Sequence, residues 1–331
     1  MYPLLTKVCN EIAFSKPLKK FQKTANPGLG GIYAAPCTPF NKKRDVDFDK
    51  ISCSVDYLKK SRFNGLFVNG TLGEGLSLSL EERKQSLEEW MRHAEGLQLV
   101  AHIGTGNLKE TQELARHAER IGVDAIAALP PTYYKPANEE QLVEYVIEVT
   151  NAAPNTPFLY YEYDVTTGLH LNIPLFLRLA KHRVPTLYGV KHTTADLNSA
   201  LNCALACRRK YKIFYGTDAM YLPALSLGLD DVISVPVMGT LLHLMKTNFL
   251  NGNTKEAQKC QETALRLRNI QQEHGGGIAV AKATFELMSG IPMGCTRLPL
   301  HTLTEATKEN LRADLEESGF LRGDTSSDCT W

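Results

Sequence analysis

The residue with the most distinctive chemistry is a lysine at the end of an apolar run. The segment "TLYGVK", which starts at Thr186, predicts a short strand that ends on Lys191. A lysine there can pair with an acid or extend its ammonium group to the surface. Because a low dielectric lowers the pKa of an amine, it can also condense with a ketone to form a Schiff base. The run itself leaves both roles open.

Two other segments place polar groups at strand ends. The glycine-rich turn "NGTLGEG", which starts at Asn69, presents consecutive N–H groups that suit a carboxylate or a phosphate. In "LYYEYD", Tyr160 and Tyr161 alternate along a strand, so one phenol faces inward. A phenol in that position can transfer a proton or bind a carboxylate, although most strand tyrosines pack in the core. Each segment alone also fits a structural role.

Eight apolar, β-branched or aromatic runs are expected to position these residues. They begin at Gly31, Asn64, Leu97, Val123, Pro157, Thr186, Tyr211 and Asp231. Segments with helical spacing and charged faces separate the runs. Eight strand–helix units predict an α/β fold with a parallel sheet closed into a (β/α)8 TIM barrel, and an open doubly wound sheet is the alternative. The chemistry of such a barrel lies at the carboxyl ends of its strands, where Lys191 stands.

The chain divides into four segments. Residues 1–27 form an extension with five lysines and one acid, and residues 28–240 form the barrel. A nearly continuous helical pattern predicts a C-terminal helical region over 241–322, and a short tail follows over 323–331. The extension has no arginine and no sustained apolar centre, which favours a loosely docked segment over a mitochondrial targeting peptide.

Composition excludes several classes of function. Lys plus Arg (37) and Asp plus Glu (36) nearly cancel, so no net field attracts nucleic acid or an anionic membrane. No apolar run is long enough to span a bilayer. The eight cysteines include no C-x-x-C pair, which predicts reduced thiols in a cytoplasmic protein and no metal site. A small-molecule enzyme or a neutral scaffold remains.

Three motifs together resemble one enzyme family. These are "GLFVNGTLGEG", then a strand-five tyrosine followed six residues later by "TG", and then "YGVKHT". In this order and at barrel spacing, they are similar to the signatures of the pyruvate-dependent class I aldolase family of dihydrodipicolinate synthase and N-acetylneuraminate lyase. The resemblance extends over about residues 29–322, and "LMSGIPMGCTRLPL" is most like the N-acetylneuraminate lyase branch.

The resemblance implies a role for each matching residue. Lys191 matches the Schiff-base lysine, and Tyr161 matches the tyrosine that shuttles protons and contacts the carboxylate. Thr71 and the amide of Leu72 match the carboxylate-binding turn. Tyr133 falls where some members send a catalytic-site tyrosine into a neighbouring subunit. The positions that match substrate-holding residues are Thr193, Gly216, Asp218 and Val235.

The resemblance also implies an activity and an assembly. Family members typically form tetramers that are dimers of dimers, and they need no metal or organic cofactor. We therefore expect a homotetrameric lyase that acts on a small 2-oxo acid through a covalent imine on Lys191. The branch resemblance implies cleavage of sialic acid to N-acetylmannosamine and pyruvate.

Several positions differ from the residues that sialic acid lyases use to hold the sugar part of the substrate, which leaves as an aldehyde. We call these positions the aldehyde side of the site. Leu72 replaces a small hydroxyl residue, and Ala219 replaces the glutamate that normally follows the strand-seven aspartate. After strand eight, residues 234–236 are Ser-Val-Pro where the family has Gly-Ser-Thr. Each lost hydrogen-bonding group removes roughly 1 kcal/mol or more per contact. A family member acting on a less polar aldehyde or 2-oxo acid, a hydratase-type reaction and a non-catalytic barrel therefore remain as alternatives.

Titratable residues next to the two main candidates also depart from the family. Glu162 follows the strand-five tyrosine and His192 follows Lys191, and we include both among the predicted substrate-binding residues. If they face the pocket they can support a dehydration or an altered proton transfer, and the alternative is that they face solvent or each other. Thr166 stands where dihydrodipicolinate synthases carry a carboxylate-clamping arginine, which argues against that activity.

Overall fold

Eight parallel strands close into a barrel in the computed structural model, which describes residues 28–321. The strands pair in sequence order, and β1 also pairs with β8. This closure confirms the predicted TIM barrel, and the open-sheet alternative is wrong. The strands are β1 (Ile32–Ala34), β2 (Gly65–Val68), β3 (Gln98–His102), β4 (Ala125–Ala128), β5 (Phe158–Glu162), β6 (Leu187–His192), β7 (Lys212–Tyr215) and β8 (Asp231–Ser234).

Helices surround the barrel and extend beyond it. The helices are α1 (Asp49–Lys60), α2 (Leu80–His93), α3 (Leu108–Ile121), α4 (Glu139–Thr150), α5 (Asp164–Thr167), α6 (Ile173–Ala180), α7 (Leu197–Leu205), α8 (Tyr221–Ser226), α9 (Gly239–Leu250), α10 (Thr254–Glu273), α11 (Gly277–Ser289) and α12 (Glu305–Glu317). Because α9 follows β8 and packs against β1, it completes the eighth unit. The boundary predicted at residue 240 therefore falls inside the last barrel helix. The predicted extension over 1–27 and the predicted tail over 323–331 lie outside the described residues.

Polar caps begin the helices directly after the strand-end loops. The Ser79 hydroxyl accepts the N–H of Glu82, and the Glu82 carboxylate accepts the N–H of Ser79 in return. Single-residue caps start α3, α4, α6 and α7, and they are Asn107, Asn138, Asn172 and Asp196. These caps fix where each loop ends, so the strand ends above the barrel are held in place.

Alternation along the strands separates an inner core from an outer layer. Inward side chains such as Phe67, Leu159 and Phe214 fill the barrel. Side chains of the opposite parity pack on the helices, as Tyr160 does against Phe176 of α6. Burying each large apolar side chain contributes about 1.5–3 kcal/mol, so this parity is strongly fixed. It decides which strand residues can reach the mouth of the barrel.

The described residues include no membrane-spanning helix, no disulfide bond and no cluster that could hold a metal ion. No helix within residues 28–321 is both long and apolar enough to cross a bilayer. The six cysteines in this part are all free thiols, and three of them are buried. Over the same residues, no group of three or more His, Cys, Asp or Glu side chains is arranged to hold a metal ion.

Candidate active site

Lys191 lies at the carboxyl end of β6 inside the barrel. Its side chain is 5% exposed, and its Nζ lies 3.8 Å from the centre of the Phe67 ring and 4.0 Å from that of Tyr161. Burial disfavours the charged form and lowers the pKa of the Lys191 ammonium to about 7. Near neutral pH a large fraction of the side chain is therefore the free amine. A free amine is the form that attacks a ketone.

Tyr161 lies beside Lys191 on the neighbouring strand. The register pairs the two residues across β5 and β6, and the Tyr161 hydroxyl is 3.1 Å from the hydroxyl of Thr71. Burial raises the pKa of the Tyr161 phenol to about 12, so the group is protonated at neutral pH. Its ring meets those of Phe67 and His102 edge to face. The phenol is thus held in position to pass a proton between the turn and a group bound to the lysine.

The turn from Asn69 to Gly75 is shaped by two left-handed residues, a backbone hydrogen bond and a required glycine. Asn69 (φ 58°) and Glu74 (φ 50°) are left-handed, and the Glu74 N–H donates to the Thr71 carbonyl at 3.0 Å. A Cβ atom on Gly75 would lie 1.8 Å from the Asn69 carbonyl oxygen, so only glycine fits there. Thr71 and Leu72 at the tip remain partly exposed. The turn therefore presents a hydroxyl and backbone amides beside Tyr161, as carboxylate binding requires.

Asp218, the predicted sugar-holding acid, already has partners. Its side chain is buried, and its Oδ2 accepts from the Ser234 hydroxyl at 2.8 Å and from the Val235 N–H at 3.3 Å. The other oxygen, Oδ1, lies 3.6 Å from Nε of Arg268 on α10. The carboxylate thus joins β7, β8 and the C-terminal helical region. Because 3.6 Å is too long for a hydrogen bond, Oδ1 keeps acceptor capacity for a substrate hydroxyl.

The other predicted substrate-side residues are apolar or tightly packed. Leu72 packs against the inner core, and Val235 is 8% exposed. Gly216 lies so close to Thr193 that an added Cβ would be 2.2 Å from the threonine hydroxyl. The structure therefore brings these positions to one end of the barrel, where Leu72 and Val235 are apolar and the partly exposed Thr193 carries a hydroxyl.

Glu162 and His192 lie on the outer side of the barrel wall. The register pairs them one residue beyond Tyr161 and Lys191, so their parity is the opposite one. Nδ1 of His192 lies 2.6 Å from Oε2 of Glu162, and Nε2 lies 3.0 Å from the Ser199 hydroxyl on α7. Both side chains are buried. The prediction that they line the pocket is therefore wrong, because alternation turns them toward α7 and toward each other.

Replacing Glu162 with glutamine will mainly reduce stability. The change weakens a buried contact, so we expect the free energy of unfolding to fall by about 1–3 kcal/mol. The extent of imine formation with pyruvate should stay within about twofold of the wild type. Urea denaturation and borohydride trapping measure the two effects separately. A severe loss of trapping at unchanged stability would place Glu162 in the pocket instead.

Tyr133 lies on the surface of the single chain. It is 83% exposed, and its ring packs edge to face against Tyr134, with ring centres 4.8 Å apart. Tyr134 is 82% exposed. The structure thus separates Tyr133 from the buried lysine of its own chain, and its entry into a neighbouring subunit's site stays a prediction.

Three inward side chains near the lysine were not predicted. Phe67 faces the Lys191 amine, and Tyr163 stacks on Tyr161 with ring centres 6.3 Å apart. His102 donates through Nδ1 to a carbonyl of the turn at 3.0 Å and accepts a backbone N–H through Nε2 at 3.2 Å. Burial lowers the pKa of His102 well below its usual value, so it is neutral. The parity of β2 and β3 would have placed Phe67 and His102 inside.

Imine formation will rise with pH through about 7. Below that pH the buried Lys191 is mostly an ammonium ion that cannot attack, and above it the free amine dominates. An exposed lysine would give the same rise near its ordinary pKa of ~10.4. The initial rate of borohydride-trappable pyruvate adduct, measured between about pH 5 and 11.5, locates the midpoint. A midpoint near the ordinary lysine value would contradict the effect of burial.

Comparison with known proteins assigns the family. Residues 28–318 match the model of the dihydrodipicolinate synthetase family. The chain is 36% identical over 299 residues to N-acetylneuraminate lyase of Rattus norvegicus, covering 88% of this chain and 93% of the relative. It is 35% identical over 307 residues to that of Gallus gallus, covering 91% and 100%. N-acetylneuraminate lyase (sialic acid aldolase) from Aliivibrio salmonicida, a solved structure, superposes with a TM-score of 0.85 at 31% identity, covering 90% and 99%. The chain therefore belongs to the dihydrodipicolinate synthetase family.

Proposed function

We propose that the protein is a pyruvate-dependent class I aldolase, a lyase that works through a Schiff base on Lys191. The observation that carries this proposal is a buried amine with a pKa of about 7 in contact with a tyrosine that hydrogen-bonds the turn. The lyases among its relatives support the same reaction class. Imine chemistry needs an unprotonated amine, a group that transfers protons and a site for the carboxylate. Lys191, Tyr161 and the turn are the groups that we assign to these three needs.

The reaction begins when the neutral Lys191 amine attacks C2 of a 4-hydroxy-2-oxo acid. Loss of water gives a protonated imine, which withdraws electrons from the C3–C4 bond. A base takes the proton of the 4-hydroxyl, the C3–C4 bond breaks, and the aldehyde leaves. The remaining enamine is protonated at C3, and hydrolysis of the imine releases pyruvate. Tyr161 is the group we assign to proton transfer, while Thr71 and the amide of Leu72 hold the carboxylate.

Sialic acid is the first candidate substrate. The relatives that match most of the chain carry the name N-acetylneuraminate lyase. We therefore expect cleavage of sialic acid to N-acetylmannosamine and pyruvate. Pyruvate release at millimolar sialic acid, with N-acetylmannosamine identified by mass spectrometry, tests this assignment directly.

A less polar substrate is the second candidate, favoured by the aldehyde side of the site. Oδ2 of Asp218 already accepts from Ser234 and Val235. Leu72 and Ala219 are apolar and offer no side-chain hydrogen bond. A polyhydroxy aldehyde would leave hydroxyl groups without partners, at about 1–3 kcal/mol for each buried group. A panel of 4-hydroxy-2-oxo acids with short alkyl tails, run beside sialic acid, separates the candidates. Turnover of the alkyl members alone selects the second, and no imine with any member supports a non-catalytic barrel.

The finer properties of the proposed enzyme follow from its family. We propose a homotetramer in which the exposed Tyr133 and Tyr134 contribute to a subunit interface, since clustered exposed aromatics are typical of interfaces.

The reaction needs no metal or organic cofactor, so dialysis against a chelator should leave turnover unchanged. A cytoplasmic location remains the expectation from the unpaired cysteines. Light scattering of the full chain measures the assembly.

A further inference from the structure

A buried ion pair joins the C-terminal helical region to the back of the predicted carboxylate-binding turn. Oε1 of Glu74 lies 2.9 Å from Nζ of Lys282 on α11, and Oε2 accepts the N–H of Arg297 at 2.8 Å. Lys282 also donates to the Cys295 carbonyl at 2.7 Å, and its Nζ lies 4.2 Å from the centre of the Phe40 ring. The Glu74 and Lys282 side chains are 0% and 2% exposed. Neither takes part in the reaction steps above.

Stability alone does not account for this pair. Removing two charges from water is strongly unfavourable, and the attraction between them only roughly offsets that loss. Apolar side chains of similar volume would stabilise the same contact at least as well. The pair instead fixes the orientation of the Glu74 side chain, because both of its carboxylate oxygens have partners on segments that are distant in the sequence. The sequence separation between Glu74 and Lys282 is 208 residues.

The backbone conformation of Glu74 depends on this fixed side-chain orientation. Its φ of 50° is left-handed, a conformation that is unfavourable for a non-glycine residue and persists only when the surroundings fix it. In this conformation the Glu74 N–H closes the turn on the Thr71 carbonyl at 3.0 Å. The Thr71 hydroxyl in turn lies 3.1 Å from the Tyr161 hydroxyl. A continuous set of contacts therefore runs from α11 through the turn to the reacting centre.

We propose that Glu74 and Lys282 are positioning residues that set Thr71 and the Leu72 amide for the carboxylate of the 2-oxo acid. This inference rests on the proposed function and extends it to the C-terminal helical region. Because the pair acts on the carboxylate-binding turn and not on the Lys191 amine, its loss raises KM far more than it lowers kcat. A purely structural pair would instead affect stability and leave the affinity of the folded protein unchanged.

The double variant Glu74→Gln/Lys282→Met tests the proposal with the full chain. It removes both charges together, so no unpaired buried ion is left behind. We expect the pyruvate concentration for half-maximal borohydride trapping on Lys191 to rise at least about tenfold, and kcat to fall by less than about threefold. If the double variant does not fold, Glu74→Gln alone decides the question. Its amide NH₂ group replaces one of the two accepting oxygens and cannot accept, so one of the two donors loses its partner. The half-saturation concentration should therefore rise at least about threefold.

A pair with the same arrangement of partners but greater exposure, in the same region, provides the control. Glu286 uses one carboxylate oxygen to bind Lys308 and the other to accept the Met293 N–H at 3.0 Å, away from the turn. The variant Glu286→Gln/Lys308→Met should keep the wild-type half-saturation. The inference is overturned, while the proposed function stands, if folded Glu74 variants keep the wild-type pyruvate concentration for half-maximal trapping. The same holds if that concentration rises equally in the control variant. Wild-type protein that traps no pyruvate would overturn the proposed function together with the inference.

Discussion

Replacing Lys191 with arginine will abolish imine formation and lower turnover at least about 10⁴-fold. The guanidinium keeps a positive charge inside the barrel, but its pKa exceeds about 12, so no free amine exists near neutral pH. The wild-type amine is available because burial lowers its pKa to about 7. Borohydride reduction in the presence of pyruvate, followed by intact mass measurement, detects the adduct. Pyruvate release in a coupled assay measures the turnover.

Lys212→Arg is the matched control for that substitution. Lys212 also lies in a barrel strand, but its Nζ is 2.8 Å from an Asp231 carboxylate oxygen and its side chain is 44% exposed. An arginine can keep this ion pair, so turnover should remain within about twofold of the wild type. Retained activity in Lys191→Arg, or an adduct on another lysine, would show that Lys191 is not the nucleophile.

Replacing Tyr161 with phenylalanine will lower turnover by about 10²–10⁴-fold, the usual contribution of a positioned proton-transfer group. The ring contacts with Phe67 and Tyr163 persist, while the hydroxyl that meets Thr71 is lost. We expect a smaller fall in pyruvate trapping than in turnover, because attack by the Lys191 amine does not itself require the phenol. Single-turnover measurements beside equilibrium trapping separate the two steps.

Tyr160→Phe is the natural comparison for this change. Tyr160 is the preceding residue on β5, and it faces outward, against Phe176 of α6. Its substitution should leave turnover within about twofold. Equal losses in both variants would point to disturbed packing of β5 and would remove the proton-transfer role of Tyr161.

The strand pattern predicted the barrel because parallel strands buried on both faces are short, apolar and separated by amphipathic helices. All eight predicted runs coincide with β1 to β8. The same pattern placed Lys191 at a carboxyl end, where the structure finds it. The end of the barrel was harder to place, since α9 continues into a helical C-terminal region without a change in pattern.

Side-chain direction at the strand ends was less predictable. A one-residue change of parity moves a side chain from the barrel interior to the helix layer, and apolar runs with tyrosines on both faces do not fix that parity. Glu162 and His192 were misplaced for this reason, whereas the register places Tyr161 opposite Lys191. The Glu74–Lys282 pair could not be predicted either, because no local spacing relates residues so far apart in the chain.

The structure shows which polar groups the sequence departures remove from the aldehyde side of the site. Ala219, the residue after Asp218, supplies no side-chain acceptor, and the end of β8 donates to one oxygen of the Asp218 carboxylate. The predicted pyruvate half of the site, by contrast, is assembled from a buried amine, a phenol and a closed turn. Substrate choice and imine chemistry are therefore separable properties of this protein, and the second can be tested without knowing the first.

The most direct test of Schiff-base chemistry is peptide mapping of the wild-type protein after borohydride reduction with pyruvate. We expect one reduced pyruvate adduct per chain, carried by the peptide that contains Lys191 and absent when borohydride or pyruvate is omitted. An unmodified Lys191 peptide at saturating pyruvate, or an adduct spread over surface lysines, would contradict it.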